Sequence, residues 1–301
     1  MAISKEISTI SAPVYRGRFA PSPTGPLHMG SLVAATGSYL DARVQGGQWL
    51  LRMEDLDPPR EMPGAADDII RTLAGFGFEW DGEIVYQSQR LDRYRQALDS
   101  LSAKGLAYPC SCTRKEIAAV AINGIDGAIY PGSCRHGLAP GKSARAWRLR
   151  VSAGEVAFED RCCGPQMQDL ERQLGDFVLL RADGYFAYQL AVVVDDAAQG
   201  ISDVVRGADL LDSTPRQIYL ARCLGLPALR YAHLPLVVNE QGEKLSKQTR
   251  APALSTADMS GQLWQALAHL RQSPPADLRR APLAEIWQWA GENWQLPMKN
   301  R

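Results

Sequence analysis

The sequence predicts an α/β protein: a doubly wound parallel sheet with an inserted α+β module and a short helical C-terminal region. Three observations carry that expectation. Strand-like runs alternate with helical periods early in the chain, the alternation returns near Tyr188, and between the two lie short alternating strands around three cysteines. The segments are residues 1–108 and 187–250 for the halves of the sheet domain, 109–186 for the insert and 251–301 for the tail.

Val14 to Phe19 has the β-branched and aromatic content of a first strand, and Leu32, Val33, Ala35, Leu40 and Val44 follow helical spacing. Between them Pro21, Pro23 and Pro26 fix φ, while Gly25 and Gly30 allow shapes or close approach that a Cβ forbids. The result is either a phosphate cradle at a helix N-terminus, to which His28 adds a donor, or an ordinary proline-rich βα connection. Gln48 to Met53 reads as a second strand that runs into Glu54-Asp55-Leu56-Asp57. Acidic groups at a strand's carboxyl end can meet an ammonium or a ribose, or form a solvated turn. Helices follow from about Gly64 to Ala74 and from Gln89 to Lys104, the second stopped by Gly105.

In the insert, Cys110-Ser111-Cys112 precedes a capping box at Thr113-Arg114-Lys115-Glu116, and Cys134 follows a Gly-rich loop. Three thiols in a compact span supply three of the four ligands a structural zinc needs. Candidates for the fourth are His136, Tyr130, Cys162 and Cys163, and buried unliganded thiols are the alternative. Ala146 to Val151 and Val156 to Asp160 read as strands, and Asp183-Gly184 signals a hairpin between Phe177–Arg181 and Tyr185–Leu190.

Beyond it, Leu190 to Val194 is apolar throughout and too short to type by period; it ends in Asp195-Asp196. Asp203 to Gly207 is a strand that brings Arg206 to its carboxyl end. Ser213-Thr214-Pro215 starts a helix with Ser213 as cap, Gly225 ends it, and Leu234 to Val238 is the next strand. The polar loop after it holds Lys244-Leu245-Ser246-Lys247-Gln248, whose ammonium groups suit a polyphosphate. Trp264, Trp287, Trp289 and Trp294 fall in helical-looking segments and are expected to pack.

The chain has 301 residues, 46% of them hydrophobic and 22% charged, enough for a sizeable core. Formal net charge is zero, so a nucleic-acid face must come from local clustering. The best cluster is Lys142, Arg145, Arg148 and Arg150, which a solvated strand face also explains. Residues 1–13 lack the apolar run of a signal peptide and no later stretch reaches a membrane span, so a cytoplasmic protein with no membrane contact is expected; a monomer is expected as well, though no residue pattern fixes the oligomeric state. Six cysteines in that setting argue for metal, catalysis or burial over disulfides.

Taken together, Pro21 to Ser31 resembles the first signature of class I glutamyl-tRNA synthetases, and Lys244 to Gln248 their second. Arg52-Met53-Glu54-Asp55-Leu56-Asp57 and Val205-Arg206-Gly207-Ala208-Asp209 fit between them, so the likeness runs from about Arg16 to Gln248. Only 54 residues follow Lys247 (301 minus 247), too few for the anticodon-binding region of that family. The chain is most similar to the family's shortened paralogues, the glutamyl-queuosine tRNA(Asp) synthetases, which share the Asp57-Pro58-Pro59-Arg60-Glu61 run.

That resemblance implies a Rossmann-type class I catalytic domain. It implies that L-glutamate is activated with ATP and Mg2+, then transferred to the queuosine base in the anticodon loop of tRNA(Asp). By the same resemblance His28, Lys244 and Lys247 serve catalysis, and Gly30, Ser31 and Ser246 join them in holding ATP. Arg18, Phe19, Ala20, Pro21, Ser22, Glu54, Tyr188 and Arg206 form the glutamate pocket, and Cys110, Cys112, Tyr130 and Cys134 hold one structural Zn2+. The alternatives are a truncated glutamyl-tRNA synthetase charging a tRNA 3′ end, and an inactive tRNA- or nucleotide-binding module. The presence of His28, Glu54, Arg206, Lys244 and Lys247 together argues against the inactive module.

Overall fold

The computed structural model describes residues 14–125, 127–152, 154–238 and 252–298. The first part runs β1 (Arg16–Phe19), α1 (Met29–Arg43), β2 (Gln48–Met53), α2 (Ala65–Gly75), β3 (Val85–Tyr86) and α3 (Leu91–Ala103). Next come β4 (Ala107–Cys110), α4 (Arg114–Ala118), β5 (Asn123–Gly124), β6 (Gly127–Ala128), β7 (Ala146–Leu149), β8 (Glu155–Asp160), β9 (Gly164–Asp169), α5 (Leu170–Gln173) and β10 (Val178–Leu180). The chain continues through α6 (Tyr188–Ala198), β11 (Asp203–Gly207), α7 (Thr214–Leu224) and β12 (Arg230–Leu234), then α8 (Met259–His269) and α9 (Leu283–Asn293).

β1, β2 and β3 pair in parallel, as do β11 and β12. β11 lies beside β1, where Ser202 N–H donates to Arg16 C=O at 3.0 Å. Strands therefore run outward from β1 in both directions, and the β1/β11 seam is the switch point where open α/β sheets bind ligands. Beyond β12 the β8–β9 hairpin adds two strands, β8 meeting β12 in parallel at Asp160 and Tyr231. A separate antiparallel sheet, β10-β7-β4, carries the cysteine segment. One core packs Trp49, Phe76 and Phe78 against Leu263, Leu267 and Ile286 of α8 and α9; a second packs Tyr94, Leu98 and Leu101 against Leu149 and Leu190.

Most expected elements are present, β2 and β11 at the expected bounds. The Thr113–Glu116 capping box is formed, and Gly105 and Gly225 take the left-handed φ that helix ends favour. Trp287 packs edge-on against Tyr39 and Phe78 and donates to Phe76 C=O at 2.8 Å, while Trp289 and Trp294 lie against the same core.

Four details differ. The strand expected over Leu234–Val238 is β12, which ends at Leu234 because Pro235 has no N–H to extend the ladder. The Asp183–Gly184 turn forms, but its second arm is a single bridge at Phe186, and Tyr188 already begins α6. Leu190–Val194 lies inside that helix, with Asp195 and Asp196 in its last turn. Ser213 occupies the cap position of α7 without a capping bond; its hydroxyl accepts from Gln189 Nε2 at 3.3 Å.

Candidate active site and metal centre

The proline-rich loop is held from below by its neighbour. Glu54 N–H donates to Pro21 C=O at 2.9 Å and Met62 N–H to Pro23 C=O at 3.0 Å, so the cradle and the acidic turn after β2 form one floor. Gly25 has φ 139°, a conformation that a Cβ would strain, whereas Gly30 lies in the first turn of α1. His28 caps α1, its Nδ1 accepting from Ser31 N–H at 3.3 Å. That bond uses one of the N–H groups at the helix terminus and makes Nε2 the proton-bearing nitrogen of a neutral ring. Leu254 N–H donates to Leu27 C=O at 2.9 Å and Ala253 bridges His28, so the chain returning from the lysine segment runs beside the cradle. Lys244, Ser246 and Lys247 themselves lie outside the described residues.

The carboxyl ends of β1, β2 and β11 bring Arg18, Glu54 and Arg206 together around Tyr188 at the start of α6. Burial pushes the Tyr188 phenol up, and Arg206, Glu54, Arg18 and Asp196 all act on it electrostatically. Arg18 is buried and paired with Asp196 through Nε (3.0 Å) and Nη2 (3.2 Å), and Arg52 Nη1 reaches the same carboxylate at 2.8 Å. Burial opposes the Asp196 charge, but the two guanidinium groups outweigh it and hold its pKa below the ordinary value. Glu54 is different: among the described residues its ion pair is Arg52 Nη2 at 3.3 Å, and burial raises its pKa despite Arg52 and Arg18. A buried carboxylate so weakly compensated favours an added cation. Arg206 donates to His233, Thr214 and Leu210 C=O, and its Nη1 lies 3.5 Å from the Tyr188 hydroxyl.

Sequence reasoning missed Asp196, Asp160 and His233. The Asp195-Asp196 pair ending an apolar run was the available signal for the first; Asp160 and His233 gave none, because their partners lie far away in sequence.

In the cysteine segment the Sγ atoms of Cys110, Cys112 and Cys134 lie within 4.8 Å of one another. The Tyr130 hydroxyl is 3.4 Å from Cys110 Sγ and 3.5 Å from Cys112 Sγ, and Cys112 and Cys134 are 3.6 Å apart. Tetrahedral zinc with Zn–S about 2.3 Å and Zn–O about 2.0 Å separates sulfurs by about 3.8 Å and sulfur from oxygen by about 3.5 Å. The donor set therefore fits. His136 is exposed and outside the cluster, while Cys162 and Cys163 sit on the β8–β9 turn against the main core. Burial opposes a Cys134 thiolate, but hydrogen bonds, first from Tyr130 and then from Ser111 and Cys112, bring it down to about 6. Burial and the neighbouring thiols raise the Tyr130 phenol, so a phenolate there needs a cation. Arg148 sits 3.4 Å from Cys110 Sγ and 3.9 Å from the centre of the Tyr130 ring.

That arginine changes the reading of the basic cluster. Arg148 and Arg150 are half-buried in contacts with Asp176 C=O and Arg135 C=O, whereas Arg145 is exposed and Lys142 pairs with Glu116 at the surface. Among the described residues, no helix is long and apolar enough to cross a membrane.

Comparison with known proteins places this geometry. Residues 15–270 match the family of tRNA synthetases class I (E and Q), catalytic domain. A Chromobacterium violaceum protein named Glutamyl-Q tRNA(Asp) synthetase is 64% identical over 95% of this chain and 96% of its own length. The protein of the same name from Dechloromonas aromatica is 65% identical over 93% of this chain and 94% of its own. Among solved structures, a glutamate tRNA ligase from Elizabethkingia meningosepticum, in complex with its amino acid, superposes with TM-score 0.68 at 28% identity. The match covers 78% of this chain and 52% of that one, so the chain spans about half the length of that ligase. The glutamate-tRNA synthetase of Elizabethkingia anophelis shares the fold, with TM-score 0.76 over 94% of this chain and 66% of its own. The chain belongs to the class I tRNA synthetases of the E and Q type, among the glutamyl-Q tRNA(Asp) synthetases.

Proposed function

We propose that the protein activates L-glutamate with ATP and Mg2+ and transfers it to the queuosine base in the anticodon loop of tRNA(Asp), in the cytoplasm. The observation that carries this reading is the convergence of Arg18, Glu54, Tyr188 and Arg206 at three strand ends beside the α1 cradle. Glu54 takes the substrate ammonium, which supplies the charge its buried carboxylate lacks. Arg206, with Arg18 behind it, takes the side-chain carboxylate, and Ala20, Pro21 and Ser22 with Phe19 form the wall. An unpaired guanidinium in such a pocket rejects neutral glutamine by leaving a buried charge unmet.

Adenylation needs no protein nucleophile. The glutamate α-carboxylate attacks the α-phosphorus and pyrophosphate leaves, so the protein aligns the reactants and neutralises charge. His28 Nε2–H, the Gly30 N–H and the Ser31 hydroxyl meet the triphosphate, with Lys244, Ser246 and Lys247 as the opposing clamp. The insert over 109–186, between catalytic halves 1–108 and 187–250, would hold zinc on Cys110, Cys112, Tyr130 and Cys134. Its chemistry there is structural, tying the end of β4 to the Tyr130–Cys134 turn.

The test is the fate of labelled glutamate after ribonuclease cleavage of charged tRNA(Asp). Label is expected on the anticodon fragment; label on the 3′ fragment would establish a truncated glutamyl-tRNA synthetase instead. Glutamate-dependent ATP–pyrophosphate exchange without tRNA is expected as well, and its absence would favour the binding-module reading.

A further inference from the structure

Behind Arg206, on the side away from Tyr188, lies a buried relay made from three distant parts of the chain. Arg206 Nε–H donates to His233 Nε2 at 3.1 Å, and His233 Nδ1 lies 2.6 Å from Asp160 Oδ2. A guanidinium only donates, so Nε2 accepts and the ring proton sits on Nδ1, where Asp160 receives it. Asp160 is fixed in turn: its Oδ1 accepts from the N–H groups of Cys162 (3.0 Å), Cys163 (2.8 Å) and His233 (3.2 Å). Thr214 Oγ1 completes the seat, 2.8 Å from Arg206 Nη2 and 3.1 Å from His233 Nε2. Both Asp160 and His233 are 1% exposed.

We propose that Asp160 and His233 are positioning residues for glutamate recognition: Asp160 sets the His233 tautomer, and His233 aims the Arg206 guanidinium at the substrate carboxylate. The proposal rests on the assignment of Arg206 to that carboxylate. It also explains why the β8–β9 hairpin of the insert is hydrogen-bonded to the catalytic sheet beside β12: the contact delivers Asp160. Two groups face Nε2, Arg206 from β11 and Thr214 from α7, and the Arg206 Nε–H can be accepted there only by a neutral imidazole whose proton sits on Nδ1 toward Asp160. Burial, chiefly, lowers the His233 pKa in agreement; Asp160 opposes it and Arg206 reinforces it, with Asp209 a further opposing carboxylate.

The test separates aim from fold. Asp160→Asn keeps the shape but must turn its amide toward His233 Nδ1 to keep accepting the backbone N–H groups, which drives the ring proton onto Nε2, against Arg206. The KM for glutamate in pyrophosphate exchange is expected to rise roughly tenfold or more, with the KM for ATP within about twofold. His233→Leu should do the same. His233→Gln, which can accept from Arg206 and donate to Asp160 at once, should stay within about threefold of the parent. Parallel rises in both KM values, an unchanged glutamate KM in Asp160→Asn, or a Gln variant as impaired as the Leu variant would overturn the proposal. Imidazole nitrogen NMR of the full chain decides without any variant, since only four histidines need assignment. His233 protonated at Nδ1 is expected; protonation at Nε2 sinks the relay. A wild type inactive in exchange but carrying the Nδ1 tautomer would count against the activity while leaving the relay standing.

Discussion

Glu54 is a carboxylate kept where its charge is poorly met, and the sign of that cost can be worked out. Its folded pKa lies above the ordinary value of 4.5, so the folded chain binds its proton more readily than the unfolded one. The resulting stabilisation is complete below 4.5 and is lost as pH rises through the folded pKa. Glu54→Gln keeps an acceptor for Arg52 and removes the charge. It is expected to melt at the same or a higher temperature at pH 7, while the KM for glutamate rises roughly tenfold or more. A lower melting temperature with an unchanged KM would contradict this. Glu54, Arg18 and Arg206 were legible in the sequence because each stands at or just past the end of a recognisable strand. Their partners were not: Asp196 pairs with Arg18 across 178 residues, and no local pattern encodes such a meeting.

Elements read from the sequence best where local chemistry and tertiary context agree. β2 combines an apolar run with parallel neighbours on both sides and β11 one with β12 in parallel beside it, and their bounds follow. Leu190–Val194 is too short to type by period, its β-branched Val192, Val193 and Val194 also suit a strand, and packing against α3 and α7 goes with the helix α6. The cysteine segment shows the same limit. Spacing supplied three thiols, whereas Tyr130 in place of His136 came from the family resemblance, and only the folded turn brings its hydroxyl to 3.4 Å from Cys110 Sγ. Arg148, 3.4 Å from Cys110 Sγ, belongs to this cluster, so a metal held there would be coupled to the arginine. Cys112→Ser is expected to lose the metal, about one zinc per chain in the parent, and Arg148→Glu to weaken its retention against a chelator. A metal-free, fully folded parent would refute the centre.

For the whole molecule, zero net charge means that no global field gathers RNA, and a docking face has to be assembled from exposed side chains. Arg145 remains exposed in the basic cluster; Arg148 and Arg150 are turned inward. Arg145→Glu is therefore the clean probe. If this edge of the insert touches RNA, tRNA affinity falls and the slope of log affinity against log salt shrinks by about one to two, with melting unchanged. An unaltered slope removes this edge from consideration.

The single Asp196 carboxylate clasping Arg18 from β1 and Arg52 from β2 has a consequence for biosynthesis. A ribosome releases both arginines long before the acid that neutralises them, and a buried guanidinium without its partner costs about 3–5 kcal/mol. Burial of Arg18 by the amino-terminal half is therefore unfavourable until α6 has emerged, whereas Arg52 already has Glu54 beside it. The convergence of Arg18, Glu54, Tyr188 and Arg206 is thus a late event in the life of the nascent chain, completed only by residues from its second half.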